Sequence, residues 1–250
     1  MTLSVLVADP SEAADVRGAL TEYGRRRGRP LQLVEARDSR MLAEAIARES
    51  FDMIMVDTSL GNLDPVAALR AEDPSGVLVG LCRAPGARDV EVLRALRGYD
   101  IVSGPIRADD LGRLMEVQSV LGKPIRVLVV DDSAATRKVI LKVLSRSAFP
   151  NESREASNGQ FALAQFNKSR FDIVVLDLNM PGLDGTATLR RIRGISPDTK
   201  VIIVSSEDET TIERRSAAVG RDGYLKKPFF PDALDACIRR LRGVPEPFYL

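Results

Sequence analysis

The sequence contains no histidine and no tryptophan, only two cysteines, and no lysine before position 123. The missing histidine excludes Ser-His-Asp and Cys-His nucleophile chemistry, histidine-ligated zinc, and a phosphohistidine carried by this chain. Whatever chemistry occurs here runs on carboxylates, hydroxyls and amines. Cys82 and Cys237 stand far apart, with no CxxC or metal spacing, and read as two small buried hydrophobes in a reducing cytoplasm. Net charge is nearly absent too: 36 Lys+Arg against 35 Asp+Glu leave +1, so no global field draws the chain onto nucleic acid or an anionic membrane. The longest apolar runs, such as Val127–Val130 and Ile173–Leu176, fall far short of the about 20 residues a membrane span needs. The opening MTLSVLVADP lacks the basic n-region and long apolar stretch of a signal peptide. Cytoplasmic localisation, no direct nucleic-acid binding and no membrane are the resulting expectations.

What is present is a hydrophobic fraction of 44% with 28% charge over 250 residues, enough for one large or two small domains with real cores. Short runs of Val, Ile, Leu and Met alternate with amphipathic stretches of helix length. In the first half the runs are Leu3–Ala8, Leu31–Ala36, Met53–Val56, Val77–Leu81 and Asp100–Ser103. In the second they are Ile125–Val130, Glu152–Ala156, Ile173–Leu176, Val201–Val204 and Gly223–Leu225. Strands apolar throughout belong inside parallel sheets covered on both faces. Helix candidates include Glu12–Tyr23, Arg40–Glu49, Ala134–Arg146, Gln160–Asn167 and Asp232–Arg242. The expected fold class is α/β, two doubly wound five-stranded parallel-sheet domains over residues 1–121 and 125–250. Leu121-Gly122-Lys123-Pro124 is the junction, where Gly and Pro close a helix and restart an extended segment.

The halves repeat one another. VADPS at Val7 matches VDDSA at Val130, FDMIMVD at Phe51 matches FDIVVLD at Phe171, and GPI at Gly104 matches KPF at Lys227. The offsets are 123, 120 and 123 residues, so the order is kept along the whole repeat.

In an open parallel sheet, ligands bind beyond the carboxyl ends of the strands. In the second half those ends carry Asp131 and Asp132 after the first strand, Asp177 after the third, Ser205 after the fourth and Lys227 after the fifth. Any one of these aspartates alone reads as a helix cap or a solvated loop residue. Together they bring three carboxylates, a hydroxyl and an ammonium to one crevice. Like charges raise each other's pKa, so three close carboxylates call for a cation, and hard oxygen donors in a partly open site favour Mg2+. With a divalent ion present, Asp177 is a nucleophile for a phosphoryl group whose charge the ion, Lys227 and Ser205 neutralise.

The segments VLVVDDS, VVLDLNMPGLDG, VIIVSSE and GYLKKPF resemble a bacterial response regulator receiver domain of the chemotaxis-regulator type, from residue 125 to residue 242. The resemblance implies that Asp177 accepts the phosphoryl group. It implies Mg2+ held by Asp132, Asp177 and the Asn179 backbone carbonyl, with Asp131 acting through water. It places Ser205 and Lys227 on the phosphoryl oxygens and Tyr224 at an aromatic switch position. Lys226 competes for the lysine role, but the family motif sets its lysine directly before Pro, as Lys227-Pro228 is, through a bond usually cis. Asn179 and Glu207 fall at positions that, in the family, tune how quickly the phosphate is lost.

The first half departs from that pattern. In the sequence match, Asp9 and Asp57 align with Asp132 and Asp177, Ala8 replaces the first acid, and Gly104 stands where lysine is needed. The nearest basic residue, Arg107, follows Pro105 instead of preceding it. The reading is a degenerate receiver, with an active but unusual receiver using Asp57 as its rival. The run Arg25-Arg26-Arg27 with Arg29 lacks interleaved aromatics and reads as the solvated end of a helix rather than a nucleic-acid patch.

The expected function is a two-component response regulator without an effector domain and not a turnover enzyme. A histidine kinase or histidine phosphotransfer protein would be the donor. A downstream signalling protein would be the target, contacted around Ile212–Val219 and Asp232–Arg242, and a homodimer stays open. Phe248-Tyr249-Leu250 reads as an anchor or a frayed terminus. The alternatives are an adaptor or phosphate sink, an aspartyl-phosphate enzyme (disfavoured by Asn at 179), and the receiver portion of a longer regulator with a catalytic output domain.

Overall fold

The computed structural model describes residues 2–9, 13–28, 30–73, 76–147, 149–182, 184–217 and 220–247. Pro10, Ser11, Glu12, Arg29, Val219 and Phe248-Tyr249-Leu250 lie outside the described residues. Two units emerge from the contacts: Met1–Lys123 with Val244–Leu250, and Pro124–Gly243. The described part of the tail after Gly243 therefore groups with the first half, whereas the sequence alone assigns it to the second. Val244 is buried, and the Tyr99 hydroxyl donates to the Pro245 carbonyl at 2.5 Å.

In the first unit the elements alternate strictly: β1 (Leu3–Ala8), α1 (Ala13–Arg27), β2 (Leu31–Ala36), α2 (Ser39–Arg48), β3 (Met53–Asp57), α3 (Asp64–Glu72), β4 (Val77–Leu81), α4 (Ala87–Ala95), β5 (Asp100–Val102) and α5 (Ala108–Leu121). The second repeats this with β6 (Ile125–Val130), α6 (Ala134–Leu144), β7 (Asn151–Ala156), α7 (Gly159–Phe166), β8 (Ile173–Asp177), α8 (Gly185–Ile195), β9 (Lys200–Ser205), α9 (Glu209–Ser216), β10 (Gly223–Lys226) and α10 (Pro231–Leu241). The sheets run β2-β1-β3-β4-β5 and β7-β6-β8-β9-β10, parallel throughout. This is an α/β fold of two doubly wound, flavodoxin-like sheets.

The local causes are readable. β8, in the sheet centre, is buried at every position and is correspondingly IVVL before its aspartate. β7 is an edge strand, NESREA, and only its last residue is fully buried. Side-chain caps start the helices where the chain leaves the sheet: Asp184 accepts from Thr186 N at 2.5 Å and Ala187 N at 3.1 Å, and Asp208 accepts from Thr211 N at 2.9 Å. Arg25, Arg26 and Arg27 occupy the exposed last turn of α1, where cations complement the helix dipole.

One arginine device recurs in both units, buried in the first and half-buried in the second. Arg70 on α3 donates to the carbonyls of Gly76 and Arg97, at 2.5 and 3.2 Å. Arg193 on α8 donates likewise to Thr199 and Gly220, at 2.5 and 3.3 Å, and to Asp222 at 2.5 Å. Each guanidinium ties a helix end to the loops entering the next two strands by bonding their carbonyls, so those backbone acceptors are paired within the protein. Burial pushes the Arg70 pKa down to about 10.

Burial alone would raise the Asp222 pKa, but hydrogen bonds from Val201 N–H and Arg193 outweigh it and hold the carboxyl below its ordinary value. Its stabilising contribution is therefore complete above the unfolded pKa of about 3.9 and lost as pH falls through the lower folded value. Urea unfolding at pH 7 is expected to show Arg193→Ala less stable by about 2–4 kcal/mol. Asp222→Asn is expected to be less stable at pH 7, with the gap to wild type closing as the pH falls through the lowered pKa. Unchanged midpoints for both variants at pH 7 would contradict this role.

Candidate functional site

The reversal of strand order in the second sheet falls between β6 and β7 on one side and β8 on the other, which opens a crevice at the strand carboxyl ends. Asp131 follows β6 immediately, its amide still bonded to the Ala156 carbonyl at 3.2 Å. Asp177 closes β8, and Ser205 closes β9 beside it, both buried. Lys227 directly follows β10 and precedes the one cis peptide bond among the described residues, Lys227-Pro228.

These placements converge. The Lys227 ammonium donates to Asp131 Oδ2 at 2.6 Å and to Asp177 Oδ2 at 3.0 Å. The other oxygens are also held: Asp131 Oδ1 accepts from Ser133 N at 2.8 Å and Asp177 Oδ1 from Asn179 N at 3.1 Å. Asp132 stands exposed beside them, and oxygens of Asp131, Asp132 and Asp177 lie within 4.8 Å of one another. Lys226, the competing lysine, is exposed at the end of β10. Burial alone would lower the Lys227 pKa, but hydrogen bonds and charge from Asp131 and Asp177 outweigh it and raise it, so the ammonium stays protonated.

Charge arithmetic defines what the crevice accepts. Two unit charges about 4 Å apart in a partly solvated protein site interact by about 4 kcal/mol, so neither the three repulsions nor the lysine attraction is small. Three carboxylates against one ammonium leave the crevice two charges negative. The donor set is all oxygen and hard, which fits Mg2+ and suits neither zinc nor copper.

On the rim, Ser205 Oγ accepts from Glu207 N at 3.2 Å and from the Asn179 amide at 3.4 Å. The Tyr224 hydroxyl donates to the Glu207 carbonyl at 2.5 Å, and its ring lies 5.5 Å from the Arg221 guanidinium. The crevice thus brings together Asp131, Asp132, Asp177, Ser205 and Lys227, with Asn179 and Tyr224 at its mouth. Two arginines escape sequence reasoning. Arg137 on α6 donates to the carbonyls of Asp131 and Asp132, at 2.9 and 3.3 Å, while its Nε holds Glu155 at 2.8 Å. Arg215 on α9 binds Asn179 and Glu207. Helical periodicity shows each on a polar face and says nothing about its partner.

Strand register corrects the pairing of the two halves. Asp9 N bonds to the Ala36 carbonyl as Asp131 N bonds to that of Ala156, so Asp9 occupies the place of Asp131, not of Asp132. The residue that follows is Pro10, so it is the second acid that the first half lacks. Asp57 pairs with Leu81 as Asp177 pairs with Val204, which sets Cys82 where Ser205 stands. Gly104 takes the position of Lys227 with a φ of +74°, a conformation side chains rarely adopt.

Against known families, residues 127–239 match the response regulator receiver domain. The chain is 32% identical over 131 residues to chemotaxis protein CheY-3 of Vibrio cholerae, covering half of this chain and all of that protein. It is 33% identical over 152 residues to the transcriptional regulatory protein TrcR of Mycobacterium tuberculosis, spanning 57% of that protein. It spans about half the length of other curated relatives, such as response regulator MprA of Mycolicibacterium vanbaalenii at 50%. A solved structure described as a two-component system response regulator/GGDEF domain protein superposes over 96% of this chain with a TM-score of 0.66 and 22% identity, a likeness of fold across both halves. The chain belongs to the response regulator receiver family, with two receiver-fold units in tandem.

Gly185, the first residue of α8, packs directly on the strand end that carries Asp177. A Cβ there would lie 2.3 Å from Leu178 Cα and 2.4 Å from the Asp177 carbonyl. Gly185→Ala is expected to cost about 1–3 kcal/mol by displacing backbone. Gly194→Ala, in the same helix with nothing within 4 Å, is expected to be neutral or stabilising. Thermal unfolding compares the two, and equal effects would contradict the close approach.

Proposed function

We propose that the second unit is a phosphoacceptor switch in two-component signalling, charged at Asp177 by a phosphohistidine on a histidine kinase or phosphotransfer protein. The observation that carries this reading is the Lys227 ammonium set between Asp131 and Asp177 at 2.6 and 3.0 Å, with the buried Ser205 hydroxyl closing the next strand.

The step is a displacement at phosphorus. An Asp177 oxygen forms the new P–O bond as the donor's P–N bond breaks, and the electron pair returns to the imidazole nitrogen, which takes up a proton. Asp131, Asp132, Asp177 and the Asn179 carbonyl would hold Mg2+, which when bound neutralises charge on the transferring group. Lys227 exchanges Asp177 for a phosphoryl oxygen, keeping its contact with Asp131. Ser205 donates its hydroxyl proton to another phosphoryl oxygen, a charge-assisted bond of about 1.5–3 kcal/mol. Because Glu207 is bonded to Ser205 and Tyr224 to Glu207, a shift of Ser205 reaches Tyr224 and the α9 surface. Output is then a change of protein contacts, to a downstream partner or a second copy.

The first unit keeps Asp9 and Asp57 but offers no lysine and no second acid, and serves as an accessory domain. Incubation with Mg2+ and a small acyl phosphate, followed by intact-mass spectrometry, is expected to add one phosphoryl group to the wild type and none to Asp177→Asn. Asp132→Asn is expected to slow labelling by about tenfold or more at fixed Mg2+. No labelling of the wild type, or undiminished labelling of Asp177→Asn, would overturn the reading.

A further inference from the structure

One side chain spans the mouth of the crevice. Arg215, near the end of α9, donates through a single guanidinium nitrogen to Asn179 Oδ1 at 2.8 Å and to Glu207 Oε1 at 2.6 Å. Its two partners come from different loops. Asn179 lies two residues beyond Asp177 and donates its backbone N–H to that carboxylate; Glu207 lies two residues beyond Ser205 and donates its N–H to that hydroxyl. Asn179 is exposed while Asp177 beneath it is buried, so the bridge lies on the solvent side of the nucleophile. Arg215 and Glu207 are each 30% exposed at the side chain, which makes this a partly desolvated pair rather than a free surface contact. The second Glu207 oxygen is enclosed and makes no hydrogen bond among the described residues, so Arg215 holds this carboxylate in place.

We infer that Arg215 is a positioning residue that sets the lifetime of the phosphoryl group on Asp177, an inference that rests on the phosphoacceptor reading above. Loss of that group is a hydrolysis. Water forms a P–O bond opposite the Asp177 oxygen, the P–O bond to Asp177 breaks, and its electron pair restores the carboxylate. One water proton must leave. At the solvent side Asn179 Oδ1 can orient that water, and the Glu207 carboxylate can both orient it and take the proton. Arg215 binds Asn179 Oδ1 and Glu207 Oε1, and the second Glu207 oxygen is enclosed, so the bridge restrains both groups from meeting the water. The bridge also ties the loop carrying Asp177 to the loop carrying Ser205, which narrows the approach. Removing the guanidinium frees the Glu207 carboxylate, two residues beyond Ser205, to act as the general base for that water.

The test is the first-order loss of phosphate from labelled full-length protein after the donor is removed, with the labelling rate measured on the same samples. Arg215→Ala is expected to speed the loss by about fivefold or more, a modest share of what a positioned proton acceptor contributes. Labelling rate and thermal midpoint are expected to change little. Arg215→Lys, which keeps a cation at the position, is expected to restore most of the lifetime. In the Glu207→Ala background, Arg215→Ala is expected to add less than in the wild type, because the proton acceptor it restrains is gone and only Asn179 is left to release. An unchanged or longer lifetime in Arg215→Ala, or full additivity with Glu207→Ala, overturns the inference while leaving phosphorylation of Asp177 intact. Failure of the wild type to label overturns both.

Discussion

Everything in the second unit turns on one cation held between two buried carboxylates. Asp131 and Asp177 end neighbouring strands at the switch point, where the fold leaves their side chains no escape from each other. Without compensation, burying both would cost several kcal/mol. Lys227 supplies the compensation from the far side of β9, and its position after β10 fixes which strand order can build the site. One ammonium cannot neutralise three carboxylates, so the crevice is left with a standing demand for positive charge. That residual demand, rather than any single residue, suits the crevice to a divalent cation.

The two units show which parts of this fold follow from architecture and which from chemistry. Arg70 and Arg193 make the same carbonyl contacts, Arg17–Glu35 repeats as Arg137–Glu155, and Asp52 accepts from Ser4 N as Asp172 accepts from Arg126 N. These bonds knit helices and loops to a parallel sheet, and both halves need them. The crevice residues diverge instead: Gly104 for Lys227, Cys82 for Ser205, and Pro10 after Asp9. Where the lysine is replaced by Gly104, the second acid is replaced too, by Pro10, which reduces the repulsion among the acids that remain. The divergence is electrostatically coherent.

Much of this was legible in the sequence because strand ends are local features. An apolar run stops at an aspartate, a serine or a lysine, and the parallel order gathers those ends at one edge; Asp131, Asp177 and Ser205 follow from that alone, while choosing Lys227 over Lys226 rests on the Lys-Pro motif. The sequence match pairs Asp9 one residue too far along because VADPS and VDDSA coincide at valine and aspartate when aligned from Val7 and Val130, whereas the sheet fixes register through the Ala36 and Ala156 carbonyls. Cys82 read as a core hydrophobe because only the pairing of β4 with β3 shows it at the Ser205 position. Arg137 and Arg215 reach their partners across turns of helix and loop, a distance no periodicity records. The tail after Gly243 illustrates the same limit, since its contacts are with a segment more than a hundred residues away.

The central claim, that lysine-balanced carboxylates confer competence on one unit and their absence removes it from the other, is tested most directly by locating the phosphoryl group. Borohydride trapping of the labelled full chain reduces an aspartyl phosphate to homoserine, which peptide mass spectrometry places by residue. The expected result is homoserine at Asp177 and unmodified aspartate at Asp57. Homoserine at Asp57, in a crevice with no lysine, would contradict the account.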